Sequence, residues 1–239
     1  MIPLLVLSLL AAAIPTGLYV ALVVWSDRYE REPGWLLTTA FGWGALPAVF
    51  LSVAGTLALG HPQALFDSHL AADVWQAVAA APVVEEIAKG LALVGIVVFV
   101  GREVDGVLDG LVYGALIGMG FAMTENFFYF LTAALEGDYL NWLVVTFLRG
   151  VVFGLNHAFY TAIFGVTLAT TLGSHRRWWL PVLGLCAAIG VHALHNLSAT
   201  LATRYPVLLI FNLLLSGGGV LVMVGIVVLS WQRERRRLT

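Results

Sequence analysis

The run from Trp75 to Val100 carries no charge apart from one stretch, Ala81-Pro82-Val83-Val84-Glu85-Glu86-Ile87-Ala88-Lys89-Gly90, which holds two adjacent carboxylates and a lysine. The run is otherwise long and apolar enough to span a membrane. A charged side chain near the bilayer centre costs about 2.5–3.5 kcal/mol on insertion scales. Glu85, Glu86 and Lys89 are therefore functional candidates, and their partners must be sought elsewhere in the chain.

The composition is that of a membrane protein. Of the 239 residues, 60% are hydrophobic and 11% are charged, and the mean hydropathy is +0.93, which excludes an ordinary soluble domain. The net charge of -2, with 12 Lys and Arg, offers no basic surface for nucleic acid. The single cysteine, Cys186, excludes a disulfide framework and a zinc site built from cysteines.

Seven apolar runs are each long enough to cross a bilayer, which takes about 20 residues. The predicted spans are residues 2–25, 35–59, 75–100, 107–135, 139–172, 178–201 and 206–231. Backbone polar groups in lipid must be satisfied within the chain, and the alternating pattern of a barrel is absent. We therefore predict an all-α, polytopic membrane helix bundle that forms a single domain over residues 1–239.

The arginines predict the orientation of the bundle. Nine of them follow the first, third, fifth and seventh spans, whereas the alternate loops contain only Arg204. Cytoplasmic loops are enriched in Lys and Arg. The amino terminus is therefore predicted outside and the carboxyl terminus in the cytoplasm.

The remaining intramembrane polar residues are predicted to meet at one depth. A rise of about 1.5 Å per residue from the predicted outer ends puts Glu85, Glu125 and His192 at about 14–16 Å. His157 lies deeper by this count and requires a tilted helix or one that begins outside the bilayer. Arg149 is the intramembrane cation expected beside Glu125.

A glycine ridge supports this convergence. The fourth span carries Gly106, Gly110, Gly114 and Gly118 at a spacing of four residues, which lets a neighbouring helix approach closely. Glu125 follows Gly118 by two helical turns, so it lies on nearly the same face. Its side chain is therefore predicted to point into the bundle.

This set of residues suits a polarised water molecule that attacks a carbonyl. One glutamate can act as the general base, and the choice between Glu85 and Glu86 stays open. Asn196, one turn from His192, is a candidate hydrogen-bond donor to the oxyanion of a tetrahedral intermediate. The predicted catalytic residues are Glu85, Glu86, Glu125, His157, His192 and Asn196.

A metal ion is a second way to polarise the carbonyl. Glu125, His157 and His192 are candidate ligands for Zn²⁺ with open positions for water. The chain lacks the H-E-x-x-H arrangement, so the ligands would come from three helices. A metal-free glutamate mechanism stays open beside it.

The successive motifs resemble those of the PrsW family of intramembrane proteases. They are Glu85-Glu86-x-x-Lys89, Phe121-x-x-x-Glu125-Asn126, Gly154-Leu155-Asn156-His157-Ala158-Phe159-Tyr160-Thr161 and His192-Ala193-Leu194-His195-Asn196. The loop Asp27–Pro33 also resembles the first cytoplasmic loop of that family, so the match extends in order from about Asp27 to Asn196. The motif-bearing spans lie within about residues 75–201.

The resemblance implies an endopeptidase related to the CAAX-processing and bacteriocin-processing membrane proteases, in a bacterial or archaeal cell membrane. Its substrate would be a single-span membrane protein such as a membrane-anchored anti-sigma factor, with the lipid bilayer as its other partner. Those relatives carry a histidine where this chain has Glu125. PrsW proteins are described as metalloproteases, whereas the CAAX relatives have been argued to use glutamate without metal.

Two other functions compete with proteolysis. Buried Glu and His residues also form ion paths, so a proton- or ion-coupled transporter is the main alternative. Transporters often contain inverted repeats, and no internal repeat is found here. A retinal pigment would need a Schiff-base lysine in the last span, which has none.

Overall fold

Each apolar run forms a helix, because a helix satisfies its own backbone hydrogen bonds. The structure, a computed structural model, describes residues 2–29, 31–59, 66, 68–172 and 177–238, and it has no strand within them. Seven long helices occupy these ranges: α1 (Ile2–Ser26), α2 (Gly34–Ala58), α3 (residues 69–100), α4 (Val107–Leu135), α5 (Tyr139–Ala169), α6 (Leu180–Ala202) and α7 (Val207–Leu238). The predicted all-α membrane bundle is confirmed, and the orientation of its termini stays a prediction.

Six of these helices, all except α3, are long and apolar enough to cross a membrane. α3 consists of His69–Trp75, a π-helical segment Gln76–Ala80 and the α-helix Ala81–Val100. Its charged residues Glu85, Glu86 and Lys89 are buried, whereas the apolar side chains of its opposite face are exposed. Those exposed side chains are Val83, Ile87, Leu91 and Val94. α3 therefore turns its charges inward and its apolar stripe outward.

α4 is the central helix. Its residues are buried without a break from Leu108 to Ala122, and it packs against α1, α2 and α5. Three of the four glycines of the predicted ridge, Gly110, Gly114 and Gly118, form the contact with α5, whereas Gly106 precedes the helix and meets only its own neighbours. A Cβ atom on Gly118 would overlap the main-chain carbonyl of His157, and one on Gly114 would overlap the Cα atom of Ala162. The close approach of the two backbones therefore fixes where His157 lies.

Three helices contain a π-helical segment, in which the regular i→i−4 hydrogen bonds are interrupted. The segments are Gly44–Ala48 in α2, Gln76–Ala80 in α3 and Leu148–Val152 in α5. In each, a carbonyl oxygen accepts from a side chain of another helix: Ala45 from Thr124 Oγ1 at 2.7 Å, Ala77 from Asn196 Nδ2 at 3.0 Å and Val151 from the Tyr19 hydroxyl at 2.8 Å. These bonds satisfy backbone groups that lipid cannot.

The loop between α1 and α2 is fixed to two helices. The Glu32 carboxylate accepts a hydrogen bond from the hydroxyl of Tyr113 on α4, and the Glu32 main-chain N–H donates to Asp27 Oδ2 at 3.0 Å. On α7, Trp231 Nε1 donates to the Ser26 carbonyl at 2.6 Å. The loop therefore joins α1, α4 and α7 at one end of the bundle; Glu30 lies outside the described residues.

Glu32 sits in an unfavourable place for a negative charge. Burial raises the pKa of its carboxyl from 4.5 to about 8, the hydrogen bond from Tyr113 opposes this, and the Asp109 and Asp27 carboxylates add to it. The folded protein therefore holds a proton that the unfolded chain releases near its ordinary pKa. The contribution of this proton to the stability of the folded protein is fully present below about pH 4.5, and it is lost as the pH rises through about 8.

We expect Gly114→Ala to destabilise the bundle, because the new methyl group overlaps the α5 backbone. Overpacking of this kind costs about 1–3 kcal/mol, which lowers Tm by roughly 2–12 °C in a chain of this size. The measurement is thermal unfolding in detergent. Gly190→Ala is the matched control, because a Cβ atom at Gly190 meets nothing within 4 Å. Equal Tm values for the two variants would contradict the packing described.

We expect the Tm of the wild-type protein to fall between about pH 5 and about pH 9, and Glu32→Gln to flatten that fall. The amide stays neutral and still accepts from Tyr113, so the variant lacks the proton release that destabilises the wild type. Glu136→Gln, an exposed change at the other end of the bundle, is the control. A Glu32→Gln profile parallel to the wild-type profile would disprove the assignment.

Candidate active site

Four neighbouring helices bring the predicted polar residues around one centre. α3 supplies Glu85, Glu86 and Lys89, α4 supplies Glu125, α5 supplies His157, and α6 supplies His192 and Asn196. Each of the six residues predicted to be catalytic therefore belongs to one cluster of contacts or lines the adjoining cavity.

Lys89 lies at the middle of this cluster, and its side chain has no exposed surface. Its Nζ atom is 2.6 Å from Glu86 Oε1, 3.5 Å from Glu85 Oε2 and 3.0 Å from His157 Nδ1. The ammonium also lies 4.2 Å from the centre of the Phe121 ring, a favourable cation–π position. Lys89 therefore reaches both carboxylates, which precede it by three and four positions on the helix, and His157 is its third partner.

Glu86 is fully engaged by hydrogen bonds. Its Oε1 atom accepts from Lys89 and from His192 Nδ1, the latter at 2.9 Å, and its Oε2 atom accepts from the Thr161 hydroxyl at 3.2 Å. The residue is only 1% exposed. A buried carboxylate with three donors is a stable ionised group, and here it links α3, α5 and α6.

The neighbours determine the tautomers of the two histidines. An ammonium group has no lone pair, so His157 Nδ1 accepts from Lys89, and His157 Nε2 donates to Glu125 Oε2 at 2.9 Å. His192 Nδ1 donates to Glu86, which leaves the lone pair on Nε2. Among the described residues, no hydrogen bond engages His192 Nε2, and its near neighbour is Glu85 Oε2 at 3.9 Å.

Glu125 is held from the opposite side by Arg149. The Arg149 Nη2 atom is 2.8 Å from Glu125 Oε2, and its Nε atom donates to Asn126 Oδ1 at 3.0 Å. The guanidinium also lies 3.7 Å from the centre of the Tyr129 ring. The expected pair of Glu125 with Arg149 is thus present, and it fixes the carboxylate that contacts His157.

A cavity of about 370 Å³ adjoins the cluster. Glu85 lines it together with Glu125, His157 and Asn196. Glu86 does not line this cavity and is enclosed by its donors. The two adjacent carboxylates therefore occupy different environments, one beside open space and one in the protein interior.

α5 is broken just before His157. Residues 153–155 are not helical, and they separate the π-helical segment Leu148–Val152 from the α-helix Asn156–Ala169. A residue count that assumes one regular helix therefore does not apply to His157. The break also orients Asn156, whose Nδ2 atom lies 3.0 Å from His195 Nδ1.

A possible metal-binding site is formed by Glu85, His157 and His192, whose ligand atoms lie within 4.8 Å of one another. Two histidines and a glutamate are a ligand set that Zn²⁺ uses, so these residues fit the ion. Glu125, the acidic ligand predicted from the sequence, is bound to Arg149 and lies outside this group. Metal binding by His157 would displace Lys89 or Glu125 from one of its ring nitrogens.

Two residues of the site were not among the predicted catalytic residues, although both belong to the motif Gly154–Thr161. Thr161 donates to Glu86, and Tyr160 stacks on His192 with ring centres 4.8 Å apart. Both follow His157 by three or four positions on a helix, so they share its face. That spacing was the available signal.

Known proteins resemble this chain in sequence. The profile described as PrsW family intramembrane metalloprotease matches residues 32–230. Protease PrsW of Oceanobacillus iheyensis is 27% identical over 165 residues, which is 68% of this chain and 68% of that protein. No solved structure matches. The transporter alternative is not favoured, and the chain belongs to the PrsW family of intramembrane metalloproteases, which makes it an integral, multi-pass membrane hydrolase.

Proposed function

We propose that Glu85 is the general base of this protease and that it activates a water molecule for attack on a peptide bond. The observation that carries the proposal is the contrast between the two adjacent glutamates. Glu85 lines the cavity and has only long contacts, 3.5 Å to Lys89 and 3.9 Å to His192, whereas Glu86 is enclosed by close donors. A base must reach water and must be free to take a proton.

The space between Glu85 and His192 suits that water. A distance of 3.9 Å between Glu85 Oε2 and His192 Nε2 is too long for a hydrogen bond, and both atoms can accept one from water. Glu85 takes one proton as the water oxygen attacks the carbonyl carbon. When the tetrahedral intermediate collapses, the C–N bond breaks and Glu85 returns the proton to the leaving nitrogen.

Asn196 binds the carbonyl oxygen in this proposal. One N–H of its amide donates to the Ala77 carbonyl, which belongs to the π-helical segment of α3, and the side chain lines the cavity. The second N–H is left for the substrate. This donor would stabilise the negative charge that develops on the oxygen, in the manner of an oxyanion hole.

Glu125 and His157 act as a positioning pair in this proposal. The hydrogen bonds from Lys89 to His157 and from His157 to Glu125 hold the imidazole neutral between a cation and an anion. If a metal ion binds, Glu85, His157 and His192 hold it, and the ion supplies polarisation of the carbonyl and acidification of water. Without the ion, the roles of Glu86 and Asn196 are the same as with it.

We propose a single-span membrane protein as the substrate, with a membrane-anchored anti-sigma factor as the first candidate because of the motif resemblance. The cavity is lined by Asp73, near the start of α3, and by Thr200, near the end of α6. If successive helices alternate in direction, both of these ends lie at the same end of the bundle as the amino terminus of α1. With the predicted orientation, cleavage takes place in the outer half of the bilayer. Residues 1–239 act as one domain in this proposal.

We expect Glu85→Gln to lower the rate of peptide cleavage by about 10²–10⁴-fold, the usual contribution of a general base, with Tm unchanged. The measurement is cleavage of a library of single-span peptides by the purified protein, with and without a chelator. Glu86→Gln is the matched comparison, and it should lower Tm as well as the rate. Undiminished cleavage by Glu85→Gln would refute the assignment of the base.

The same assay separates the two mechanisms. Loss of wild-type cleavage on chelation, restored by Zn²⁺, supports metal assistance. Full cleavage after exhaustive chelation excludes it. His192→Ala should be inactive in either case, because His192 Nε2 faces the water and the metal site alike.

We expect Lys89→Met to destabilise the protein by about 3–5 kcal/mol, because it leaves the buried Glu86 carboxylate without its cation. The double variant Lys89→Met/Glu86→Gln should regain part of the lost Tm, since both charges are then removed. A double-mutant cycle from thermal unfolding measures the coupling. Additive effects of the two substitutions would contradict the central place of this ion pair.

A further inference from the structure

One buried hydroxyl beside the cavity lacks a partner. Tyr160 is only 1% exposed, and its hydroxyl oxygen makes no hydrogen bond within the described part of the chain. Tyr160 lines the cavity beside Glu85. Within the described part of the chain, no other residue with a buried side-chain atom that makes no hydrogen bond lines this cavity. The hydroxyls of Tyr113 and Tyr19, by contrast, are bonded to Glu32 and to the Val151 carbonyl.

Packing does not account for this hydroxyl. An unpaired buried polar group costs about 1–3 kcal/mol, and phenylalanine would fill the same space without that cost. The ring is held in place by both histidines of the site. It stacks on His192 at 4.8 Å and meets His157 edge-on at 5.7 Å between ring centres.

The proposed reaction requires a hydrogen-bond donor to the carbonyl oxygen, and a neutral donor suits this site. When water attacks the carbonyl carbon, the carbonyl oxygen becomes an oxyanion that must be stabilised. The two cations of the site are already paired, Lys89 with Glu86 and Arg149 with Glu125. A phenol donates a hydrogen bond without bringing a further charge into the membrane interior.

We propose that Tyr160 is a further catalytic residue, whose phenol donates a hydrogen bond to the scissile carbonyl oxygen as it becomes an oxyanion. The proposal rests on the proposed function, because it assumes that a peptide bond occupies the cavity beside Glu85. Tyr160 and the second N–H of Asn196 then form the two donors of the oxyanion site. The bond is made in the transition state and is broken when the C–N bond cleaves and the carbonyl reforms.

The test compares Tyr160→Phe with Tyr113→Phe in the full-length protein, using the peptide cleaved best by the wild type. Loss of one oxyanion donor should lower kcat of Tyr160→Phe on the order of 10²-fold with KM unchanged. Its Tm should not fall, since no hydrogen bond within the protein is lost. Tyr113→Phe should lower Tm and leave kcat unchanged. The Tyr113 hydroxyl donates to Glu32 and lies away from the cavity, so its removal costs a hydrogen bond within the protein and does not affect the reaction.

A tetrahedral inhibitor gives a second readout. A phosphinate that replaces the scissile amide of the same peptide mimics the intermediate, and it should bind Tyr160→Phe more weakly by about the factor lost in kcat/KM. Wild-type kcat in Tyr160→Phe would overturn the proposal, and so would a fall in kcat that comes with a matching fall in Tm. Failure of the proposed function itself is distinguished by Glu85→Gln, which would then cleave as fast as the wild type.

Discussion

Lys89 Nζ contacts Glu86, Glu85 and His157 within 3.5 Å, in a side chain with no exposed surface. A cation at this depth is tolerated only where carboxylates compensate it, and removal of either partner leaves a buried charge unpaired. The rest of the site follows from this contact. Glu86 is held as an ionised acceptor for His192 and Thr161, and His157 is held as a neutral ring that donates to Glu125.

The backbone provides the space in which this pairing is possible. The glycines of α4 bring the backbone of α5 close enough to place His157 beside Lys89. The π-helical segments leave carbonyl groups that side chains of other helices bind, and one of these bonds, from Asn196 to Ala77, lies at the cavity itself. In each π-helical segment a side chain of another helix therefore binds a carbonyl group inside the bundle.

The helices, and the polar residues that meet at the site, could be predicted from the sequence. Apolar length sets the spans, and three charges in the third span could only be compensated by polar residues of other helices. It did not distinguish Glu85 from Glu86, because adjacent residues on a helix differ in direction by about 100° and only the packing of α5 and α6 shows which one faces the cavity. It also led to Glu125 as the acidic metal ligand, because the distances that group Glu85 with His157 and His192 depend on how the helices pack. The break before Asn156 has no proline in residues 148–156 to signal it.

The proposed mechanism requires direct attack by a water molecule that Glu85 activates, and oxygen-18 labelling tests this step most directly. In a single turnover in H₂¹⁸O, with the protein in excess over substrate, the new carboxyl terminus of the cleaved peptide should carry one ¹⁸O atom. The tryptic or chymotryptic fragment of the protein that contains Glu85 should carry none. Label in that fragment would show that the carboxylate itself attacked the carbonyl and formed a covalent intermediate, which contradicts the role of Glu85 as a base.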